Sequence, residues 1–231
     1  MRVWGVVPAA GMGRRMGEGD PKQYREAAGA PILVHTLKAL TASRVVDGIT
    51  VAVAENCIGR AQGLLADFFG ADAPIRCVVG GATRQESVYR ALLSLADARV
   101  DIVIIHDAAR PLVTDETIRA TLAAAAAHGA AVAAIPAAEA SCLAESGLVT
   151  EYIDRRRHVT IQTPQAFRYE LIVKAHEQAI ATGITDAVDD GLLVFRLGEP
   201  VAVSDGRPEN IKVTYEGDLV RMKRMESEGD L

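Results

Sequence analysis

Val3-Trp4-Gly5-Val6-Val7-Pro8-Ala9-Ala10-Gly11-Met12-Gly13-Arg14-Arg15-Met16-Gly17 stands near the start of the chain, and its reading decides the fold. Val3 to Pro8 form an apolar run without polar alternation, as expected for a strand buried on both faces of a sheet. Small residues and glycines follow at once. They predict a tight loop whose backbone can approach a ligand and whose successive N–H groups can cradle an anion. Arg14 and Arg15 add planar guanidinium forks suited to phosphate oxygens. Pro21-Lys22-Gln23 then presents a lysine from a rigid turn. This is neither GxGxxG with an acidic residue about 20 positions later nor GxxxxGK[ST], so a Rossmann dehydrogenase and a P-loop nucleotidase both fit poorly. An ordinary strand-to-helix turn is the plain alternative, and the adjoining cations weigh against it.

The same alternation continues along the chain. Ile49 to Val53, Ile75 to Val79, Asp101 to Ile105 and Ala130 to Ile135 read as further strands. Between them, Ile32 to Leu40, Ile58 to Phe69, Ser87 to Leu95 and a helix capped by Thr114 and running to His128 read as helices, the last closed by Gly129. Continuous apolar strands separated by helices predict an α/β fold: a mostly parallel Rossmann-like sheet with helices on both faces. Residues 1–231 read as a single domain, with no linker or repeat. The exception is 139–161, which lacks helical period. There Ser146-Gly147 reads as a turn between Cys142-Leu143-Ala144 and Leu148-Val149-Thr150, followed by Arg155-Arg156-Arg157. A β-arm leaving the sheet is expected; isolated hairpins are marginal in water, so it would pack on a second subunit.

Composition bounds the rest. The 231 residues include 39 alanines against ten aromatic residues, so the core must be built from small and aliphatic side chains. A net charge of −5 excludes a broad cationic surface for duplex nucleic acid. Cys57, Cys77 and Cys142 have no CxxC spacing and no histidine cluster, which predicts reduced thiols in a cytoplasmic protein and no zinc site. Neither a signal peptide nor a membrane span is expected.

Two more segments carry chemistry. Gly80-Gly81-Ala82-Thr83-Arg84-Gln85-Glu86-Ser87 follows the third strand. It suits a nucleobase or anion at a helix N-terminus, and equally an N-cap by Thr83 with Glu86 completing a capping box. His106-Asp107-Ala108-Ala109-Arg110-Pro111 follows the fourth strand, where ligands bind such sheets, and one carboxylate there suits Mg²⁺. An Asp–Arg pair holding a loop is the alternative, and His106 reads as a packed loop histidine. Thr163-Pro164-Gln165 and Asn210-Ile211-Lys212-Val213-Thr214 read only as loops.

Taken together, PAAGMGRRMG, PKQ, HDAARP, TPQAF and NIKVT, in this order from Val3 to about Met225, resemble the 2-C-methyl-D-erythritol 4-phosphate cytidylyltransferase family. The resemblance implies that CTP and the polyol phosphate 2-C-methyl-D-erythritol 4-phosphate give the CDP-alcohol and pyrophosphate, with Mg²⁺, in a homodimer whose arms help complete the partner's site. It implies that Pro8, Ala9, Ala10, Gly11, Gly13, Gly81, Ser87, Asp107 and Ala108 contact the nucleotide, with Asp107 near the metal. Arg15, Lys22, Arg155 and Lys212 would be catalytic by neutralising and orienting phosphates, while Arg110, Thr163 and Glu209 would line the acceptor's pocket. In-line attack of one phosphate on another joins two polyanions, so positioning and neutralisation suffice without a covalent nucleophile. The chain departs from the family pattern at Glu139-Ala140-Ser141-Cys142, Val188 and Glu209, all on the acceptor side. Another acceptor such as ribitol 5-phosphate, or a non-catalytic CTP-binding protein, are the alternatives.

Overall fold

The computed structural model describes residues 1–11 and 20–227. Its strands are β1 (Val3–Ala9), β2 (Glu26–Ala27), β3 (Ala30–Pro31), β4 (Gly48–Val53), β5 (Ile75–Val79), β6 (Ile102–Ile105), β7 (Ala130–Pro136), β8 (Ser141–Glu145), β9 (Leu148–Ile153), β10 (Val159–Arg168) and β11 (Ala202–Asp205). Its helices are α1 (Ile32–Ala42), α2 (Ile58–Phe69), α3 (Arg84–Leu93), α4 (Asp115–His128), α5 (Tyr169–Ala181), α6 (Asp190–Arg196) and α7 (Glu216–Ser227). Seven strands make one sheet in the order β11-β7-β10-β6-β1-β4-β5. Only β10 runs antiparallel to its neighbours β6 and β7; the other pairs are parallel.

Alternate residues of β1 face opposite sides, so its unbroken apolar run divides between two cores. Val3, Val7 and Ala9 pack with Leu33, Leu37 and Leu40 of α1, Leu65 of α2 and Ile118 of α4. Trp4 and Val6 pack on the other face with Val88 and Leu92 of α3, Ile172 of α5, and Leu193 and Val194 of α6. Each fully buried aliphatic side chain contributes roughly 1.5–3 kcal/mol, which lets an interior with few rings hold together. A third cluster joins Ala27 and Ile32 to Ala109, Leu112, Val213 and Met222. It fastens α7 and the Asn210–Thr214 segment beneath the loop after β6.

The helix ends follow the sequence. Thr114 caps α4 by accepting from the Thr117 N–H at 3.3 Å, and Gly129 closes it with φ +91. Thr83 caps α3 by accepting from the Glu86 N–H at 3.1 Å, while Glu86 Oε2 takes the Ala82 N–H at 2.7 Å. That cap starts α3 at Arg84, earlier than the expected Ser87.

Two expectations are corrected. Thr163-Pro164-Gln165 is not a loop but the middle of β10, the strand inserted between β6 and β7. The pairing register shifts between Ile161 and Gln165, and a proline is tolerated at such an irregularity because no ladder donor is needed from it. The arm is also shorter than 139–161, since Val159, Thr160 and Ile161 already pair with Pro136, Ile135 and Ala134. What projects is the hairpin of β8 and β9, turned at Ser146 and Gly147, both with positive φ.

Candidate active site

At the carboxyl ends of β1 and β6 the chain leaves the sheet, and the two exits face the N-terminus of α3 across a cavity of about 390 Å³. Gly80 sits at the closest approach. A Cβ there would come within 2.7 Å of Ala10 Cβ and 2.9 Å of Ser87 Oγ, so only glycine lets the two loops meet. Ser87 Oγ in turn accepts the Gly81 N–H at 3.0 Å and donates to the Thr83 carbonyl at 2.8 Å. The β1 exit is held from below by Gln23, whose buried amide donates to the carbonyls of Ala9 at 2.6 Å and Gly11 at 3.1 Å.

Asp107, next after the His106 that continues β6 by donating its N–H to the Val6 carbonyl at 2.9 Å, is the centre of the charged wall. Arg84 Nε lies 3.0 Å from its Oδ1, Lys212 Nζ lies 2.6 Å from its Oδ2, and Arg110 Nε is 3.9 Å from Oδ2. Burial alone would raise the carboxyl's pKa, but Arg84, Lys212 and Arg110 outweigh it and hold the group well below the usual range. Arg84 feels the same opposition: burial disfavours its charge, and Asp190 and Asp107 more than restore it. Burial dominates at Arg110 and lowers its pKa, with Asp107 opposing.

Lys212 reaches this wall because its neighbours are anchored. Val213 is fully buried and donates its N–H to the Ala109 carbonyl at 2.8 Å. Asn210, also buried, donates Nδ2 to the Thr163 carbonyl at 2.8 Å, and its own carbonyl accepts from Arg110 at 2.6 Å. Lys22 reaches the same segment, with Nζ donating to the Val213 carbonyl at 3.2 Å. Beneath Asp107 runs a chain of directed bonds. The Asp107 N–H donates to Thr163 Oγ1 at 3.1 Å, Thr163 Oγ1 lies 3.0 Å from His106 Nδ1, and His106 Nε2 lies 3.0 Å from the Arg110 carbonyl. A carbonyl can only accept, so Nε2 carries the proton and Nδ1 accepts from Thr163. Burial pushes the His106 pKa down to about 4, which keeps this neutral tautomer.

The structure brings together most of the expected residues. Pro8, Ala9, Ala10, Gly11, Lys22, Gly81, Ser87, Asp107, Ala108 and Lys212 all line the cavity. Gly13 and Arg15, with Arg14, lie outside the described residues. Three others do not line this cavity within the subunit. Thr163 does not line the cavity but is buried under it, supporting Asp107; Arg155 is exposed beyond the hairpin, and Glu209 is exposed next to the Asn210 anchor. Arg110 is mostly buried, bridging Asp107 to Asn210.

Sequence reasoning gave no role to Arg84, although it stands within the quoted GGATRQES. Its signal was only that a cation follows a glycine pair at a helix start. Its partners Asp107 and Asp190 are 23 and 106 positions away.

A glycine-lined exit from a parallel strand, opposite a helix N-terminus and rimmed by lysine and arginine, defines an α/β protein built to hold a phosphate-bearing ligand such as a nucleotide. The comparisons narrow this class. The sequence profile of 2-C-methyl-D-erythritol 4-phosphate cytidylyltransferase matches residues 3–225, and the chain belongs to that family. It is 41% identical over 228 residues to the 2-C-methyl-D-erythritol 4-phosphate cytidylyltransferase of Acidobacterium capsulatum, covering 95% of each chain. It is likewise 41% identical over 219 residues to that of Pelotomaculum thermopropionicum, covering 94% of this chain and 91% of the relative. Among solved structures, the 2-C-methyl-D-erythritol 4-phosphate cytidylyltransferase of Thermus thermophilus superposes with a TM-score of 0.78 at 31% identity, covering 98% of this chain and all of that one. The 4-diphosphocytidyl-2C-methyl-D-erythritol synthase of Anaerococcus prevotii superposes with a TM-score of 0.86 at 26% identity, covering 98% of both.

Proposed function

We propose that the chain joins CTP and 2-C-methyl-D-erythritol 4-phosphate, giving 4-diphosphocytidyl-2-C-methyl-D-erythritol and pyrophosphate. The observation that carries this reading is the convergence of Lys22, Arg84 and Lys212 on one cavity, in a chain that matches the family from residue 3 to 225. An oxygen of the acceptor phosphate attacks the α-phosphorus of CTP, forming one P–O bond as the bond to pyrophosphate breaks. Negative charge accumulates on the phosphoryl oxygens and on the leaving group. Fixed cations at those positions lower the barrier without having to reorganise. Lys22 and Lys212 take that role, with Arg15 as a third cation. Pro8, Ala9, Ala10, Gly11, Gly13, Gly81, Ser87 and Ala108 shape the nucleotide's bed. Arg110 holds the acceptor side through Asp107 and Asn210.

The side chains fit Mg²⁺ as a minority donor set. Among the described residues, Asp107 is the only carboxylate lining the cavity; it is ionised, and because Arg84 and Lys212 already face its oxygens, Mg²⁺ would have to share one of them and take most of its ligands from phosphates. Mg²⁺ accepts one carboxylate when phosphates supply the remaining ligands, so Asp107 and the triphosphate would hold it. Bound there, it would neutralise charge on the triphosphate.

The reading extends to assembly. Leu143, Leu148, Val149 and Tyr152 of the hairpin are exposed, which supports a homodimer in which the arm packs on a second copy. Arg155 would then serve the partner's cavity, Glu209 would act on the acceptor side within each subunit, and Thr163 would act there through Asp107, which it supports from beneath. Residues 1–231 act as one nucleotidyltransferase domain. A cytoplasmic location goes with three free cysteines, and no helix among the described residues is long and apolar enough to cross a membrane. The test is pyrophosphate release from a panel of polyol phosphates with CTP and Mg²⁺. Release with 2-C-methyl-D-erythritol 4-phosphate is expected; release only with another acceptor would reassign the substrate.

A further inference from the structure

Asp190 lies outside the cavity and has no role in the mechanism above. Yet it is only 1% exposed, and a carboxylate so buried costs several kcal/mol to desolvate unless it is well paired. Its surroundings are fixed from three elements. Oδ1 lies 3.1 Å from Nε2 of His176 on α5, and His176 is itself fully buried and stacked on Tyr89 with ring centroids 5.7 Å apart. The backbone N–H groups of Asp190 and Gly191 both donate to Gln165 Oε1 of β10, at 3.2 and 3.0 Å.

The remaining oxygen, Oδ2, accepts from Arg84 NH1 at 2.7 Å. Arg84 is the one member of this group that also lines the cavity. Its fork is thereby divided: NH1 goes to Asp190, and only Nε goes to Asp107 Oδ1, at 3.0 Å. Asp107 Oδ2 is left to Lys212, at 2.6 Å. Released from Asp190, the planar guanidinium would be free to take both oxygens of Asp107 in the bidentate geometry it favours, in competition with Lys212.

We propose that Asp190 is a positioning residue for cytidylyl transfer: by holding one side of Arg84, it keeps Asp107 shared with Lys212 and the Lys212 ammonium fixed at the cavity wall. The inference rests on the transferase reading. A purely structural ion pair would also be buried and coupled to Arg84, but its loss would lower the thermal midpoint and leave kcat near wild type. The two readings differ in whether turnover falls, and in whether that fall requires Arg84.

The experiment compares wild type, Asp190→Asn, Arg84→Gln and the double variant in kcat, in KM for CTP and for the acceptor, and in thermal midpoint. Asparagine keeps the shape and one acceptor oxygen. Asp190→Asn should lower kcat about tenfold while CTP KM stays within about twofold, because geometry at the reacting phosphates is lost rather than ground-state binding. In the Arg84→Gln background the same change should alter kcat by less than about twofold. Equal losses in both backgrounds, or unchanged turnover in Asp190→Asn, would overturn the proposal. If Asp190→Asn does not fold, Arg84→Lys carries the test. Lysine keeps the charge but not the rigid planar fork that fixes both carboxylates at once, so about a tenfold fall is expected, and near-normal turnover would overturn the proposal. Absence of transfer by wild type itself would sink the transferase reading, and this inference with it.

Discussion

The cavity wall and the β8–β9 hairpin treat their side chains in opposite ways. At the wall, the carboxylate is withdrawn from water and has assigned partners: Asp107 is 7% exposed and meets Arg84, Arg110 and Lys212. In the hairpin, apolar groups stand in water, with Leu148 at 73% and Tyr152 at 77% exposed. Removing a member of the wall leaves a buried charge without its partner. Removing an apolar side chain from the hairpin costs the subunit almost nothing. The difference accords with the proposal that the wall works by preorganised electrostatics and that the hairpin is covered by a second copy.

Four measurements would break or sharpen that contrast. The largest effect is expected at Asp107. Asp107→Asn leaves three cations without their carboxylate, and breaking a buried ion network in this way costs about 3–5 kcal/mol. Urea denaturation should show that loss; a change below 1 kcal/mol would mean the wall is not a stability element. Lys212→Ala and Lys22→Ala should each lower kcat by about 10²–10³-fold, the scale of losing one stabilising donor to a developing charge. The thermal midpoint should stay near wild type in Lys22→Ala and fall in Lys212→Ala, which leaves Asp107 Oδ2 without its partner; full turnover in either variant would refute its assigned role.

Acid should act on the wall next. The His106 ring has its pKa pushed down to about 4 by burial, from the ordinary value of 6.5. Between those values the unfolded chain takes a proton that the folded protein refuses. Stability is therefore full above pH 6.5 and falls as pH drops toward 4, by up to about 1.4 kcal/mol per unit. Asp107 and Asp190, both with lowered pKa values, add their own loss as pH falls below the ordinary carboxylate range. Denaturation at pH 7 and pH 5 checks the sign, and His106→Gln should flatten the slope between them. Substitution in the hairpin should give the smallest change in subunit stability. Leu148→Asp with Tyr152→Ser should alter subunit stability by no more than about 0.5 kcal/mol, as surface changes do, while sedimentation shows a homodimer falling apart. Loss of subunit folding would mean that the hairpin belongs to the core.

Much of the fold was legible because buried parallel strands write themselves as apolar runs. Val3 to Pro8 and Ile102 to Ile105 announce both the strands and the exits where ligands bind. The Thr83 and Thr114 caps were legible too, since a cap and the N–H it satisfies are three residues apart. What escaped depends on distance along the chain or on exception. Proline made Thr163-Pro164-Gln165 look like a loop, when a register shift in β10 accommodates it. The pairing of Arg84 with Asp190 leaves no local trace, because only the folded sheet brings α3 beside α6. Val213 explains in retrospect why Lys212 is held: apolar neighbours on either side turn the ammonium toward the cavity.

The most direct test of the central claim is a single pyrophosphate-release assay on the wild-type chain. With CTP, Mg²⁺ and 2-C-methyl-D-erythritol 4-phosphate together, release should be sustained, and omitting any one of the three should abolish it. No release with all three present, from protein shown to be folded, would contradict the account.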